Sequence, residues 1–180
     1  MAFTRMDEGS LDDWMVIAQE TVPYQEQVAD RVLAMLRTLA GFTGGFGVDQ
    51  LAHALQTATR AERAGAPDDL VVGALLHDVG KVVSVANHPA IAAEIIRPYV
   101  SEETYQIVRT HQDFQGRHYY HLIGKDPEAR AQYAGEPWFA AAERFTDEWD
   151  QTAFDPDYDT EPLEHFEPLV RKVFGEVKIA

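Results

Sequence analysis

The chain has 180 residues, a length that suits one domain with a hydrophobic core. It carries 15 Lys and Arg against 30 Asp and Glu, for a net charge of −15. This acidity excludes a surface that binds duplex nucleic acid, because such a surface needs clustered cations to displace counterions. The sequence has no cysteine, which excludes disulfides and thiolate metal ligands.

Neither a membrane-spanning segment nor a secretory signal is expected. No run of 18 or more apolar residues is present, and the first residues lack a basic stretch followed by an apolar one. We therefore expect a cytoplasmic protein with no membrane partner. The whole chain, 1–180, is predicted to form one domain, with a core from about 24 to 174 and a helical extension over 1–23.

The first third of the chain predicts two helices and a loop. Ser10 can cap a helix over 11–20, and the break at Pro23 separates it from a second helix over 24–39. The loop 41–47 holds four glycines, which permits unusual backbone angles, close approach to a ligand, or simply a mobile connection.

The middle of the chain continues as helices. A third helix is predicted over 50–64, and Asp68 or Asp69 is expected to cap the apolar helix that ends at His77. Asn87 is then expected to cap a helix over 88–99.

The remaining elements are also helical. Ser101 is expected to cap a helix that ends at His111, and 112–135 gives no clear assignment. Helices follow over 137–150 and about 166–174, with an acidic turn region between them. Because no segment shows sustained alternation of apolar and polar residues, the predicted fold class is all-α.

The most informative motif lies at the end of the apolar run 70–76. There His77 and Asp78 stand side by side, followed by Gly80 and Lys81. Burying this imidazole and carboxylate is costly unless a partner neutralises them, and a metal ion both neutralises and coordinates.

Other histidines and aspartates, which are residue types that can bind metals, lie on predicted helices beside core residues. A single histidine of this kind is more often structural than a metal ligand, so the prediction of a metal site depends on the whole group of candidate ligands. Imidazole and carboxylate ligands without sulfur suit iron, manganese or zinc. Six ligands are too many for one catalytic ion, which favours two ions bridged by Asp78. The six candidate ligands are His53, His77, Asp78, His88, His111 and Asp150.

The order and spacing of these six residues resemble the HD-domain superfamily of helical metalloproteins. Within it, they look most like the mixed-valent diiron oxygenases, namely inositol oxygenase and the oxygenases of hydroxylated organophosphonates. The resemblance covers about 50–150, with the best matches around His53, from Ala74 to Lys81, and at Trp149-Asp150. It implies a helical bundle with the metal site between its central helices.

The resemblance also implies a ligand assignment. His53, His77, Asp78 and Asp150 would hold one iron of an Fe(II)/Fe(III) pair. Asp78, His88 and His111 would hold the other, so that Asp78 bridges. Asp147, one turn before Asp150, competes for the last position. Simple HD phosphohydrolases use the outer four ligands alone, although dinuclear HD phosphodiesterases also exist.

Four features bear on the substrate and its surroundings. Lys81 is read as a substrate clamp or, alternatively, as a solvent-exposed lysine at a helix end. Gln115 and Arg117 are predicted substrate contacts, because 114–125 concentrates cations in an acidic protein. Gln56, one turn after His53, is predicted to orient a ligand or a water. The loop 41–47 lacks the tyrosine and glutamate that cover the iron in the phosphonate oxygenases.

Three functions are therefore compared. The first is an oxygenase that uses O2 on a small hydroxylated, anionic substrate, with Asp78 and Lys81 in catalysis. The second is a metal-dependent phosphohydrolase that acts on a nucleotide or another phosphate ester. The third is a metal-stabilised regulatory module without catalytic activity.

Overall fold

A computed structural model describes residues 3–178, which fold into a bundle of α-helices. No strand occurs within these residues, so the predicted all-α class is confirmed. The eight helices are α1 Leu11–Glu26, α2 Val28–Arg37, α3 Gln50–Arg63, α4 Asp68–Leu76, α5 His88–Ile96, α6 Glu102–Tyr119, α7 Phe139–Arg144 and α8 Leu163–Phe174. Short 3-10 turns and one π-helical turn, Phe145–Asp150, connect them.

Helix α4 is the centre of the bundle. Every residue from Leu70 to Leu76 is buried, and α3, α6 and α8 pack around the helix. Gly73 permits the close approach of α6, since a Cβ there would lie 2.7 Å from Thr104 Cγ2. The bundle therefore surrounds the apolar run on all sides, and the run delivers His77 and Asp78 into the interior.

Several predicted helix ends are corrected. Helix α1 continues through Pro23 to Glu26, and the break falls at Gln27. The helix tolerates the proline because α1 is exposed, so water can bind the carbonyl that the missing N–H leaves free. Helix α2 correspondingly begins at Val28 rather than at residue 24.

The expected caps are correct in part. Ser10 and Asp13 form the capping box of α1, and the Ser101 side chain accepts from Thr104 N at the start of α6. Neither aspartate caps α4, whose cap residue is Pro67, and Asn87 makes no side-chain capping bond to α5.

Helix α6 is longer than predicted. It passes His111 without a break and ends at Tyr119, so its polar second half stays helical. The remainder of the unassigned segment contains two 3-10 turns, Tyr120–Ile123 and Ala129–Tyr133. The extra turns of α6 place Gln112 and Gln115 beside the histidine cluster.

Within residues 3–178, no helix is both long enough and apolar enough to span a membrane.

Candidate metal centre

The six candidate ligands come from five parts of the chain and meet in the interior. His53 lies on α3, and His77 and Asp78 follow α4. His88 begins α5, His111 lies on α6, and Asp150 ends the π-helical turn. All six are at least 95% buried, which is unusual for charged and imidazole side chains that have no partner.

One group of ligand atoms surrounds the Oδ2 side of Asp78. His53 Nε2 lies 3.4 Å from Asp78 Oδ2 and 3.1 Å from His77 Nε2. It also lies 3.2 Å from Asp150 Oδ1, and His77 Nε2 is 3.5 Å from both carboxylates. The Nε2 atoms of both histidines thus lie within 3.5 Å of an oxygen of each carboxylate.

A second group surrounds the other oxygen of the same carboxylate. Asp78 Oδ1 lies 3.0 Å from His88 Nε2 and 3.5 Å from His111 Nε2, and the two nitrogens are 3.2 Å apart. A looser grouping would join His77 to Asp78 and His111. We assign His88 instead, because it is closer to Asp78 than His77 is.

Backbone carbonyls fix the orientation of the four imidazoles. The Nδ1–H groups of His53, His77, His88 and His111 donate to the carbonyls of Ala153, Ala74, Val85 and Val108 at 2.7 to 3.0 Å. A carbonyl cannot donate, so each neutral ring carries its proton on Nδ1. Every Nε2 therefore presents a lone pair to the cluster, as a metal ligand requires.

These distances and unpaired atoms fit a metal ion in each group. Two ligand atoms about 2.1 Å from one ion would be ~3.0–3.4 Å apart at ordinary coordination angles. The observed separations, 3.0 to 3.5 Å, match this range. In addition, Asp78 Oδ1 and Asp150 Oδ2 are buried without a hydrogen-bond donor. A cation would satisfy both oxygens.

The pKa shifts of the two aspartates and of His111 agree with this electrostatic picture, whereas burial would lower the pKa of His77 but Asp78 and Asp150 outweigh it and raise it. Burial alone would raise the pKa of Asp78, but the surrounding imidazoles, His77 first, and the Lys81 ammonium group hold it well below its usual value. Asp150 is similarly lowered because the two histidines beside it outweigh its burial. Burial lowers the pKa of His111. Ionised carboxylates and a neutral imidazole are the forms that bind metals.

Asp147, the alternative to Asp150 as the last ligand, lies outside the cluster. Asp147 is partly exposed and pairs with His118 at 2.9 Å and with Arg130 at 3.1 Å. The π-helical turn places Asp150, and not Asp147, beside His53. The geometry therefore favours Asp150 as the ligand.

A pocket of about 470 Å³ opens next to the second group. His88 forms part of its wall, and Lys81 enters it with Nζ 2.5 Å from Asp78 Oδ2 and 2.6 Å from Gln50 Oε1. The remaining wall residues are Phe46, Val85, Gln112, Gln115, His118, Tyr119, Gln151 and Phe154. No Asp or Glu stands among these wall residues, in contrast to the chain as a whole.

Three residues predicted to contact the substrate or to orient a ligand differ in where they lie relative to the pocket. Gln115 lines the pocket and donates to Asp150 Oδ1 at 3.1 Å. Arg117 does not line it, because its side chain lies at the surface and pairs with Glu128. Gln56 touches neither ligand nor pocket. It exchanges hydrogen bonds with the backbone of Asp155, and so anchors the segment whose carbonyl at Ala153 orients His53.

Aromatic residues outside the predicted set cover the first group. Phe154 stacks on the His53 ring with centroids 4.1 Å apart, and Phe46 stacks on Phe154 at 4.4 Å. Phe46 belongs to the glycine-rich loop, in which Gly41, Gly44 and Gly45 have positive φ. Glycine content indicated close approach to a site as one possibility, but it could not identify which side chain the loop delivers.

Gln50 is a further site residue that was not predicted from the sequence. Its amide oxygen accepts from Lys81, and it lies three residues before His53 on the same face of α3. This helical spacing was the available signal.

An all-helical bundle with histidines and aspartates buried at its centre is an arrangement that could hold a metal ion. The HD-domain family model matches residues 50–155, which is more than half of the chain, and the protein therefore belongs to the HD-domain family. A search of curated proteins found no match. Family membership and the buried cluster together indicate a metal-dependent enzyme.

Proposed function

We propose that the protein is a non-haem diiron oxygenase that uses O2 to oxidise or cleave a small, hydroxylated, anionic substrate. The observation that carries the proposal is that the other five candidate ligands divide into two groups, one beside each oxygen of Asp78. One group has four donor atoms and is covered by Phe154, whereas the group of His88 and His111 has three and adjoins the pocket. The second group would leave positions for small ligands.

Two iron ions held there would supply O2 activation and removal of a hydrogen from the carbon that bears the hydroxyl group. Around them, the chain's own residues bind and orient the substrate. Lys81 is 16% exposed and points its ammonium group between Asp78 and Gln50. We assign it to the anionic or hydroxyl group of the substrate, since it is a charged donor at the pocket base.

The pocket lining supports an anionic substrate. Lys81 and His118 contribute cationic or donor groups, and the amides of Gln112 and Gln115 add further donors. The rings of Phe46 and Phe154 restrict water above His53. Low water content strengthens the electrostatic interactions inside the site.

The second candidate is a metal-dependent phosphohydrolase. The same pocket favours it, because Lys81 beside a metal centre would also balance the charge of a phosphate ester. In this case the residues that bind the substrate would be the same, and only the reaction would differ.

One paired experiment distinguishes the two. Anaerobically prepared, iron-loaded protein is partly oxidised and examined by EPR, and O2 uptake is recorded with hydroxylated phosphonates and polyols. The same protein loaded with manganese or cobalt is assayed for phosphate release from a phosphoester panel. We expect a mixed-valent signal and substrate-dependent O2 uptake, both absent in Asp78→Ala. Phosphate release without O2 uptake or the EPR signal would overturn the oxygenase.

A further inference from the structure

Helix α1 stands apart from the hydrophobic core. None of its residues from Leu11 to Glu26 is buried. Sixteen large hydrophobic side chains are exposed in residues 3–178, and eight of them lie between Met6 and Tyr24. Such a concentration marks an interaction surface.

Five apolar residues of α1 form a continuous stripe, and Val16 and Ile17 lie off it. The spacing of three or four residues among the five repeats along the helix, so they lie on one face. The stripe consists of Leu11, Trp14, Met15, Ala18 and Val22. A helix of 16 residues, about 24 Å long, with a proline in its last two turns, is marginal in water without tertiary packing. The stripe therefore requires a partner surface.

A fitting surface lies at the base of the same helix. A groove of about 580 Å³ opens between α2, the turn after α5, and the end of α8. Ala29, Tyr99, Phe174 and Val177 give it an apolar floor, with the rings of Tyr99 and Phe174 4.5 Å apart. Val177 is 65% exposed.

The charges of helix and groove are complementary. Helix α1 carries no Lys or Arg and four acidic residues, of which Glu26 itself lines the groove. Arg171 lines the groove, and Arg97 and Lys178 are the chain neighbours of the lining residues Pro98 and Val177; all three side chains are about half exposed. Each also contacts a carboxylate of its own chain, so these cations would steer docking more than they would strengthen it.

We propose that α1 of one copy docks into this groove of a second copy, and that the exchange is reciprocal. Only Gln27 separates α1 from α2, so α1 cannot fold back over its own groove without unwinding. Because Gln25 and Glu26 border the groove, a two-fold axis near the base of α1 brings each helix onto the partner's groove. The dimer buries both apolar stripes.

Sedimentation of the full chain over a concentration series tests this interface. The wild type is expected to be a dimer, and Val22→Glu, which places a charge on the stripe, is expected to weaken association at least tenfold. Val16→Glu is the matched control, since Val16 has similar exposure but lies about 120° away around the helix. Circular dichroism and metal content should be unchanged in both variants.

A cross-link identifies the contacting surfaces. The chain has no cysteine, so a Val22→Cys chain mixed with a Val177→Cys chain can form a defined mixed disulfide. A mixed disulfide between two chains supports the exchange. The proposal is overturned by a monomeric wild type, by a dimer that Val22→Glu leaves intact, or by a double variant that links Val22→Cys to Val177→Cys within one chain.

Discussion

His53 and His77 point their Nε2 atoms at each other across 3.1 Å. Both rings donate Nδ1–H to backbone carbonyls, so in their neutral forms no proton lies between the two nitrogens. Two lone pairs at this distance repel unless a cation separates them, and burial prevents water from relieving the repulsion. The bundle therefore holds a contact that a metal ion would stabilise.

Removal of metal should lower stability. An ion that binds only the folded state stabilises it by about 2.7 kcal/mol at 100 times its dissociation constant. We expect the thermal midpoint to fall by several degrees on chelation and to recover on re-addition of iron. Asp78→Ala, which loses the shared carboxylate, should show no response to either treatment. A wild-type midpoint that chelation does not change would contradict the role of the cluster.

The two groups of ligands should be separable by mutation. His111→Ala removes one ligand from the three-donor group and is expected to reduce the metal content by about one ion per chain. Asp78→Ala should lose both ions, because its two oxygens serve both groups. Asp147→Asn is the control, since that carboxylate contacts His118 and Arg130 instead. Equal losses of metal in His111→Ala and Asp147→Asn would contradict the assignment of His111 as a metal ligand.

Gly80 holds His88 in place through close packing. A Cβ at Gly80 would lie 2.2 Å from the His88 carbonyl oxygen and 2.8 Å from its Cα, distances that no side chain tolerates. Gly80→Ala should therefore displace the start of α5, lower stability by about 1–3 kcal/mol and weaken the second metal position. Metal content and denaturant unfolding measure both effects. Gly135→Ala, which meets no atom within 4 Å, should change neither.

Lys81 should affect turnover more than metal binding. Its ammonium group is a preorganised donor at the pocket base, and loss of such a donor commonly costs about 10²–10³-fold in rate. Lys81→Met is thus expected to lower kcat/KM by about that factor while the iron content stays near that of the wild type, and Lys81→Arg should recover part of it. Unchanged kinetics in Lys81→Met would remove Lys81 from the substrate site.

Asp69 gives a pH-dependent contribution to stability. Its carboxylate accepts from Ser101 N at 2.8 Å and from Thr104 at 3.2 Å, joining α4 to the start of α6. Burial opposes ionisation, but hydrogen bonds from Ser101 outweigh it and lower the pKa of Asp69 below 3.8. The stabilisation is therefore full above this unfolded-state value and is lost as pH falls through the lower folded-state value.

Asp69→Ala should cost about 1–3 kcal/mol in the free energy of unfolding at pH 7. The difference from wild type should shrink below about pH 4 in denaturant titrations. Asp68→Ala offers a neighbouring control, since Asp68 is half exposed and forms only a surface pair with Lys172. Its effect should stay within about 1 kcal/mol. Equal effects of the two substitutions would refute the role of Asp69.

Most helices could be predicted because local patterns determine them, whereas the residues of the cluster could be named because their order along the chain resembles that of the HD-domain superfamily. The apolar run before His77 identified the central helix, and helix spacing identified α3 with His53 on its inner face. The aspartates at 68 and 69 show the limit of such patterns. A capping residue looks the same in sequence whether it serves its own helix or, as Asp69 does, a neighbouring one.

Contacts between distant segments could not be predicted where no family resemblance indicated them. Arg117 is two residues from Gln115 in sequence, yet a helix turns successive side chains by about 100° and so places the two on different faces. The stacking of Phe46 on Phe154 joins residues more than 100 positions apart. Only the folded chain brings the glycine-rich loop to the segment after Asp150.

The proposed dinuclear centre is tested most directly by counting its metal ions. Protein expressed in iron-supplemented medium would be analysed for metal content, with wild type and His111→Ala measured side by side. We predict about two irons per wild-type chain and about one in the variant. A wild type that holds a single ion of any metal, unchanged in His111→Ala, would contradict a centre bridged by Asp78.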